Sequence, residues 1–110
     1  NELIKSCDIG LSTVMLKRKI LSKNLKFPNL RTKEDFVLWL KILKKNNRIY
    51  GLNENLAKWR KSENSLSSSI FQKIFDGIRV YNKYMNFNLF LSAYYLTFLS
   101  INYIIKRIND

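Results

Sequence analysis

Two adjacent carboxylates, Glu34 and Asp35, open an otherwise apolar segment of a strongly basic chain. A carboxylate held in the first turn of a rigid helix can orient a hydroxyl group and accept its proton. The pair has a second interpretation, because Thr32 and Asp35 have the spacing of a capping box. In that motif Thr32 caps the helix and Asp35 reaches back to the Thr32 amide. The residues alone therefore leave two roles open, a general base and a helix cap.

The segment that follows the two carboxylates has helical periodicity. Its apolar residues recur at i, i+3, i+4 and i+7, which places Phe36, Trp39, Leu40 and Leu43 on one stripe. Only a narrow polar face remains, so the helix is expected to be buried. It should begin after Thr32 and end at Asn46-Asn47, residues that tolerate the left-handed conformation of a helix end.

The segments around this helix have the patterns of strands and loops. Residues 9–16 are β-branched and apolar in their second half, which predicts a buried strand. Shorter strands are predicted over 48–50 and 56–60, with a turn between them. We expect a short basic helix or turn over 17–24, a loop around Pro28, and a polar, Ser-rich loop over 61–69.

The C-terminal part of the chain is predicted to be helical. Ser69 and Gln72 match a second capping box, and an amphipathic helix follows. Its apolar stripe consists of Ile70, Phe71, Ile74, Phe75, Ile78 and Tyr81. A break is expected at 84–88. Residues 84–105 contain no charged side chain, which raises a transmembrane reading. Interrupting Asn, Ser and Thr residues favour instead a helix packed on 70–81 or lying on a membrane surface.

Composition limits the classes of function. A chain of 110 residues with 46% hydrophobic and 14% aromatic residues can build one modest core. The single cysteine, Cys7, excludes an internal disulfide and is expected to be a small buried residue, and the absence of His argues against a zinc site. The net charge of +12 favours the binding of anionic partners. Charge alone does not distinguish nucleic acid, acidic lipid, a phosphorylated substrate or a solvated surface without a specific ligand.

Four motifs follow one another between residues 9 and 68. They are Ser-Thr-Val-Met-Leu-Lys-Arg at 12–18, Glu-Asp-Phe-x-Leu-Trp-Leu at 34–40, Ile-Tyr-Gly-Leu-Asn-Glu-Asn-Leu at 49–56 and Trp-Arg-x-x-x-x-Ser-x-Ser at 59–67. In this order and spacing the chain resembles the C-terminal part of a family-2 glycosyltransferase of the GT-A type, the bacterial kind that builds surface polysaccharides. The resemblance implies an inverting transfer of a sugar from a nucleotide-activated donor to an acceptor hydroxyl.

The resemblance also implies roles for individual residues. Asp35 corresponds to the family's catalytic base, and Glu34 would orient the acceptor or support the loop. Ser12, Thr13 and Trp39 would lie at the acceptor site, although Trp39 also fits a core position. Trp59, Arg60 and Ser65 would cover the donor phosphates, where Arg makes charge-assisted contacts. Each of the three also has a structural alternative: Trp59 could pack on a strand, Arg60 could be a solvated charge, and Ser65 could form a turn.

The chain departs from the family pattern in two respects. Relatives often carry a His near the position of Ser62, which in some of them helps to hold the metal, and this chain has no His. The nucleotide-binding half and its Asp-x-Asp motif also have no counterpart here. A divalent metal, Mg or Mn, is therefore expected only in a full-length enzyme, with ligands mostly outside this chain. This piece should bind none and should be inactive by itself, because catalysis needs both substrates positioned.

These observations together predict a helix-rich α/β fold with two parts. Residues 1–68 would form the acceptor-side segment of a GT-A domain, and 69–110 a helical hairpin or tail. The partners would be a nucleotide-sugar donor and a glycan or lipid-linked acceptor. The protein would lie in the bacterial cytoplasm at the inner face of the cytoplasmic membrane, with peripheral membrane contact through 84–107. Unpaired strand edges would favour association of two copies.

Two alternatives belong to other functional classes. One is a small basic module that binds nucleic acid through its Lys and Arg clusters and stacks bases on Tyr or Trp. The other is a membrane-surface anchor, which is compatible with the glycosyltransferase interpretation. We favour the glycosyltransferase and expect no nucleic-acid partner.

Overall fold

A computed structural model describes residues 2–21, 25–58, 60 and 69–109, except for the side chain of Arg107. Its α-helices are α1 (Glu34–Lys44), α2 (Ile70–Arg79) and α3 (Leu89–Asn109). Short 3₁₀ turns lie at Glu2–Lys5, Leu11–Thr13 and Arg18–Ile20, and a π-helical turn at Val80–Tyr84 continues α2. The predicted helix after Thr32 and the predicted basic turn near Arg18 are thus confirmed.

The strands predicted from the sequence do not form in the described part of the chain. Residues 9–16 contain the 3₁₀ turn Leu11–Thr13, and the described residues of 48–50 and 56–60 are irregular. A strand needs a neighbour to satisfy its backbone N–H and C=O groups, and no described segment offers one. The carbonyl of Ile9 accepts a hydrogen bond from the Trp39 indole instead, at 3.2 Å. The helix-rich part of the fold prediction is confirmed and the strand predictions are wrong.

Helix α1 lies at the centre of the core, with hydrophobic clusters on two sides. One cluster joins Phe36, Val37 and Leu40 to Val80, Tyr81 and Leu99. The other joins Leu38, Trp39 and Ile42 to Leu25, with Ile9, Val14 and Leu16 packed around it. The first cluster therefore unites residues from both sides of the predicted boundary at 68. That boundary lies outside the described residues, and the division into two parts stays a prediction.

The packing of α2 differs from what its apolar stripe suggests. Phe71 is 86% exposed and Ile70 69%, whereas Asp76 and Gly77, away from the stripe, are buried. A Cβ on Gly77 would lie 2.5 Å from Cδ1 of Leu96, so the absence of a side chain permits the close approach of α2 and α3. Of the predicted stripe, only Tyr81 in the π-helical turn is fully buried. The expectation that α3 packs on 70–81 is confirmed, but the contact is made mainly through Gly77 and Tyr81, and most of the apolar stripe faces outward.

Side-chain caps define the ends of α2 and α3. Ser69 accepts a hydrogen bond from the Gln72 amide, so half of the predicted capping box is confirmed. The predicted break at 84–88 is also confirmed: Asn86 has φ 59°, and the Asn88 carboxamide oxygen accepts from the Leu91 amide at 2.8 Å. Such caps satisfy amide groups that a helix start otherwise leaves unpaired.

Candidate functional site

The two carboxylates lie in the first turn of α1, and both residues are partly exposed. Asp35 Oδ1 accepts a hydrogen bond from the Phe36 amide at 2.7 Å. The predicted capping box is wrong, because Lys33, not Thr32, occupies the N-cap position and makes no side-chain cap. Asp35 is consequently not engaged with the Thr32 amide. The positive end of the helix dipole favours the ionised form of a carboxylate at this position.

Thr32 is turned toward α2 and binds a buried carboxylate. Its amide and its hydroxyl both donate to Asp76 Oδ2, at 3.0 and 2.8 Å, and the Gln72 side chain donates to the same oxygen at 3.1 Å. Desolvation by itself would raise the pKa of Asp76, but these hydrogen bonds and the Arg79 charge lower it on balance. Asp76 Oδ1 is buried and has no hydrogen-bond partner in the described part of the chain. The network fixes the residue two positions before Glu34.

Lys33 connects the network to the candidate base. Its backbone is left-handed, with φ 64° and ψ 17°, a conformation that residues with a Cβ seldom adopt. Its Cε lies 3.8 Å from the position that a Cβ on Gly77 would take. Burial lowers the pKa of the Lys33 ammonium, and the charges of Asp35 and Asp76 act in the opposite direction. A partly buried cation therefore lies near the carboxylates of Asp35 and Asp76.

Cys7 borders the same region. The residue is exposed, so the expectation of a buried cysteine is wrong. Enough protein nevertheless surrounds its thiol that desolvation raises the pKa of Cys7 to about 11, while the charges of Lys33 and Lys106 lower it and those of Asp35 and Glu34 raise it. The thiol is thus protonated near neutral pH, which makes it a weak nucleophile there.

The predicted acceptor-binding residues fall into two groups. Ser12 and Thr13 are exposed on the 3₁₀ turn, and the Thr13 hydroxyl donates to the Gly10 carbonyl at 3.1 Å. Trp39 is only 2% exposed and lies in the core, where its indole holds Ile9. A direct acceptor contact through Trp39 does not fit this burial, because stacking on a sugar needs an exposed ring face. Trp39 instead fastens the segment that carries Ser12 and Thr13 to α1.

The predicted donor-phosphate residues are described only in part. Arg60 is exposed. Trp59 and Ser65 lie outside the described residues, as does Ser62, and their roles stay predictions. Within the described part of the chain, no three His, Cys, Asp or Glu side chains lie close enough together to hold a metal ion.

Sequence reasoning missed the contribution of Lys33, Gln72 and Asp76. Asp76 is the only acidic residue between 69 and 109, and a lone carboxylate on an amphipathic helix could have indicated a buried partner. Its partner is 44 residues away in sequence, so no local pattern identifies Thr32. The described site thus comprises a partly exposed carboxylate pair, an adjacent cation and a buried hydrogen-bond network. It can accept a proton from a hydroxyl that approaches α1.

Comparison with curated proteins identifies relatives of one kind. The chain is 41% identical over 69 residues to the putative teichuronic acid biosynthesis glycosyltransferase TuaG of Bacillus subtilis (strain 168), covering 63% of this chain and 27% of the relative. It is 43% identical over 76 residues to the UDP-Glc:alpha-D-GlcNAc-diphosphoundecaprenol beta-1,3-glucosyltransferase WfgD of Escherichia coli, covering 67% and 29%. WfaP of Escherichia coli, whose name gives the same activity, is 39% identical over 74 residues, covering 66% and 28%.

These similarities confirm the predicted resemblance to glycosyltransferases. The chain spans less than a third of the length of the relatives that it matches. No family model matches the sequence, and no solved structure matches it.

Proposed function

We propose that this chain is the acceptor-side portion of a longer, GT-A-type glycosyltransferase of bacterial surface polysaccharide synthesis. The relatives support this proposal: one is named for teichuronic acid biosynthesis, and two are named for a UDP-Glc donor and a diphosphoundecaprenol-linked acceptor. By analogy, the donor would be a nucleotide sugar and the acceptor a lipid-linked or free glycan. A donor-binding portion would lie elsewhere in the longer protein.

Asp35 is the proposed general base, and its position carries the proposal. The acceptor oxygen would attack the anomeric carbon as its proton passes to the Asp35 carboxylate and the bond to the leaving diphosphate breaks. Attack opposite the leaving group inverts the configuration. The hydrogen bond from the Phe36 amide fixes the carboxylate against α1, and the buried network at Thr32 restrains the chain before it. A base aligned in advance loses less entropy in the transition state.

The neighbouring residues have supporting roles in this proposal. Glu34 would orient the acceptor, as would Ser12 and Thr13 from their exposed turn. Trp39 positions that turn from within the core. Arg60 would contact the donor phosphates, which suits an exposed guanidinium.

A divalent metal would neutralise the leaving diphosphate in the longer enzyme, as the family resemblance implies. The described residues do not fit a metal site of their own. We place the enzyme in the cytoplasm at the inner face of the membrane, where a diphosphoundecaprenol-linked acceptor of the kind named for two relatives would be reached. Residues 84–107 would contribute peripheral membrane contact.

Replacement of Asp35 in the full-length gene product tests the proposal. Asp35→Asn keeps the shape of the side chain but removes its basicity, so transfer should fall about 100-fold to 10,000-fold while donor affinity changes less than about twofold. Asp8→Asn, at an exposed carboxylate paired with Lys106, is the matched control and should retain transfer. Unchanged turnover in the Asp35 variant would refute its role as base.

A further inference from the structure

The outward face of α2 is an apolar surface of the described chain. Phe71 is 86% exposed, Ile70 69%, Phe75 64% and Ile74 42%. The opposite face of the helix packs through Asp76 and Gly77 against Thr32 and Leu96. We call the four exposed residues the α2 face. Large contiguous apolar surfaces of this kind usually mark an interaction site.

Helix α3 extends this surface. It runs antiparallel to α2, since Lys73 contacts Tyr103 while Gly77 contacts Leu96. Its exposed apolar residues include Phe90, Tyr94, Ile101, Ile104, Ile105 and Ile108. Two polar side chains on the exposed part of α3 are satisfied by their own helix: Thr97 donates to the Tyr94 carbonyl and Ser100 to the Leu96 carbonyl. Their transfer out of water therefore leaves neither hydroxyl without an acceptor.

The segment that carries this surface is strongly basic. Residues 69–109 contain the cations Lys73, Arg79, Lys83, Lys106 and Arg107, and a single acid, Asp76, which is completely buried. Three of the cations lie over aromatic rings: the Arg79 guanidinium is 5.6 Å from the Phe75 ring centroid, Lys73 Nζ 4.8 Å from that of Tyr103, and Lys83 Nζ 5.9 Å from that of Tyr84. Apolar side chains and cations thus occur together.

We propose that the α2 face, together with the exposed side of α3, docks on an anionic lipid surface. Phe and Ile side chains would enter the boundary between headgroups and acyl chains, and the flanking Lys and Arg would contact acidic headgroups. A second copy of the chain fits less well, because two such surfaces would bring like charges together. This inference extends the proposed membrane contact from 84–107 to α2, and it does not depend on the transfer reaction.

The orientation of α3 is part of the proposal. Within the described residues, α3 is the helix that is long and apolar enough to cross a membrane, over Leu89–Lys106, by length and composition alone. The N-terminal segment holds one side of it: Asn102 donates to the Lys5 carbonyl at 2.9 Å, and Lys106 pairs with Asp8. These contacts place polar and charged groups alongside the helix, so it would lie along the surface and not across the bilayer.

Vesicle co-sedimentation of the full-length gene product, the form used for the Asp35 test, tests the inference. Binding should be strong with phosphatidylglycerol in phosphatidylcholine, at least about tenfold weaker with phosphatidylcholine alone, and weakened by salt. The double variant Phe71→Gln and Phe75→Gln should bind at least about tenfold more weakly. The matched control, Tyr50→Gln with Leu52→Gln, removes exposed apolar side chains elsewhere (81% and 69% exposed) and should bind like the original chain.

Three results would overturn the proposal. The first is equal binding of the double variant and the original chain. The second is a pair of observations: the original chain binds no vesicles, and analytical ultracentrifugation shows a dimer of the original chain that the double variant does not form. A second copy would then be the partner. The third is retention on vesicles after alkaline carbonate extraction, which would indicate a spanning helix. The vesicle measurements are independent of transfer activity, so failure here is distinguishable from failure of the Asp35 assignment.

Discussion

The carboxylate of Asp76 and the backbone and side chain of Thr32 form a double hydrogen bond across 44 residues of sequence, and both residues are buried. This contact joins α2 directly to the segment that enters α1. Because Glu34 and Asp35 begin α1 only two residues later, the contact connects the stability of the C-terminal helices to the position of the proposed base.

Removal of the Asp76 carboxylate should destabilise the fold. Asp76→Ala leaves the Thr32 amide and hydroxyl buried without an acceptor, which should lower the free energy of unfolding by about 2–4 kcal/mol. Thr32→Val should cost about 1–2 kcal/mol. Urea denaturation measures both, and the double variant should be less destabilised than the sum of the two single variants. The control Asp8→Ala removes an exposed ion pair with Lys106 and an exposed hydrogen bond from Ser6, and it should cost less than about 1 kcal/mol.

The same carboxylate should make stability depend on pH in acid. The pKa of Asp76 is lowered in the folded chain, so the unfolded chain binds more protons below the ordinary Asp pKa of about 3.9. The stabilisation that the ionised Asp76 carboxylate contributes is fully present above that pH, and it is lost as the pH falls through the lowered pKa. Urea denaturation between about pH 2 and pH 5 should show a steeper loss for the original chain than for Asp76→Asn. Parallel curves would contradict the assignment.

Substitution of Trp39 should test how the N-terminal segment is held. Trp39→Phe keeps a buried aromatic ring but removes the hydrogen bond to the Ile9 carbonyl and some packing volume, so it should cost about 1–3 kcal/mol. The amide protons near Ile9 should also exchange faster with deuterium. Tyr50→Phe, at a side chain that is 81% exposed, is the control. Unaltered exchange near Ile9 in the Trp39 variant would show that the indole does not fasten this segment.

The close approach at Gly77 should oppose ordinary helix propensity. Ala is favoured over Gly in a helix by about 1 kcal/mol, but its Cβ would lie 2.5 Å from Cδ1 of Leu96. We therefore expect Gly77→Ala to destabilise the chain by about 1 kcal/mol net, as over-packing does. In a Leu96→Ala background the same change should become stabilising, because the opposing methyl group is gone. Thermal denaturation of the four chains measures this sign reversal, and destabilisation in both backgrounds would contradict it.

The sequence determined the features that depend on local periodicity and capping. The spacing of Phe36, Trp39 and Leu40 predicted α1, and the Ser69 cap and the break near Asn86 were likewise predicted. The motif around Glu34 and Asp35 identified the glycosyltransferase resemblance that the relatives confirm. These features follow from nearest neighbours along the chain and from the order of short motifs, which require no knowledge of distant contacts.

The tertiary structure decided which faces are buried and how the carboxylate pair is held. Apolar periodicity located a stripe on α2 but not its partner, and the approach of Gly77 to Leu96 turned that stripe outward. The local sequence was equally compatible with Thr32 as the cap of α1. In the structure Thr32 instead donates to the buried Asp76 carboxylate, and Lys33, with a left-handed backbone, occupies the N-cap position. Residues 9–16 had the composition of a strand but lacked a neighbouring strand in the described part of the chain. Each outcome depended on hydrogen-bond and packing partners far away in sequence, which local patterns do not specify.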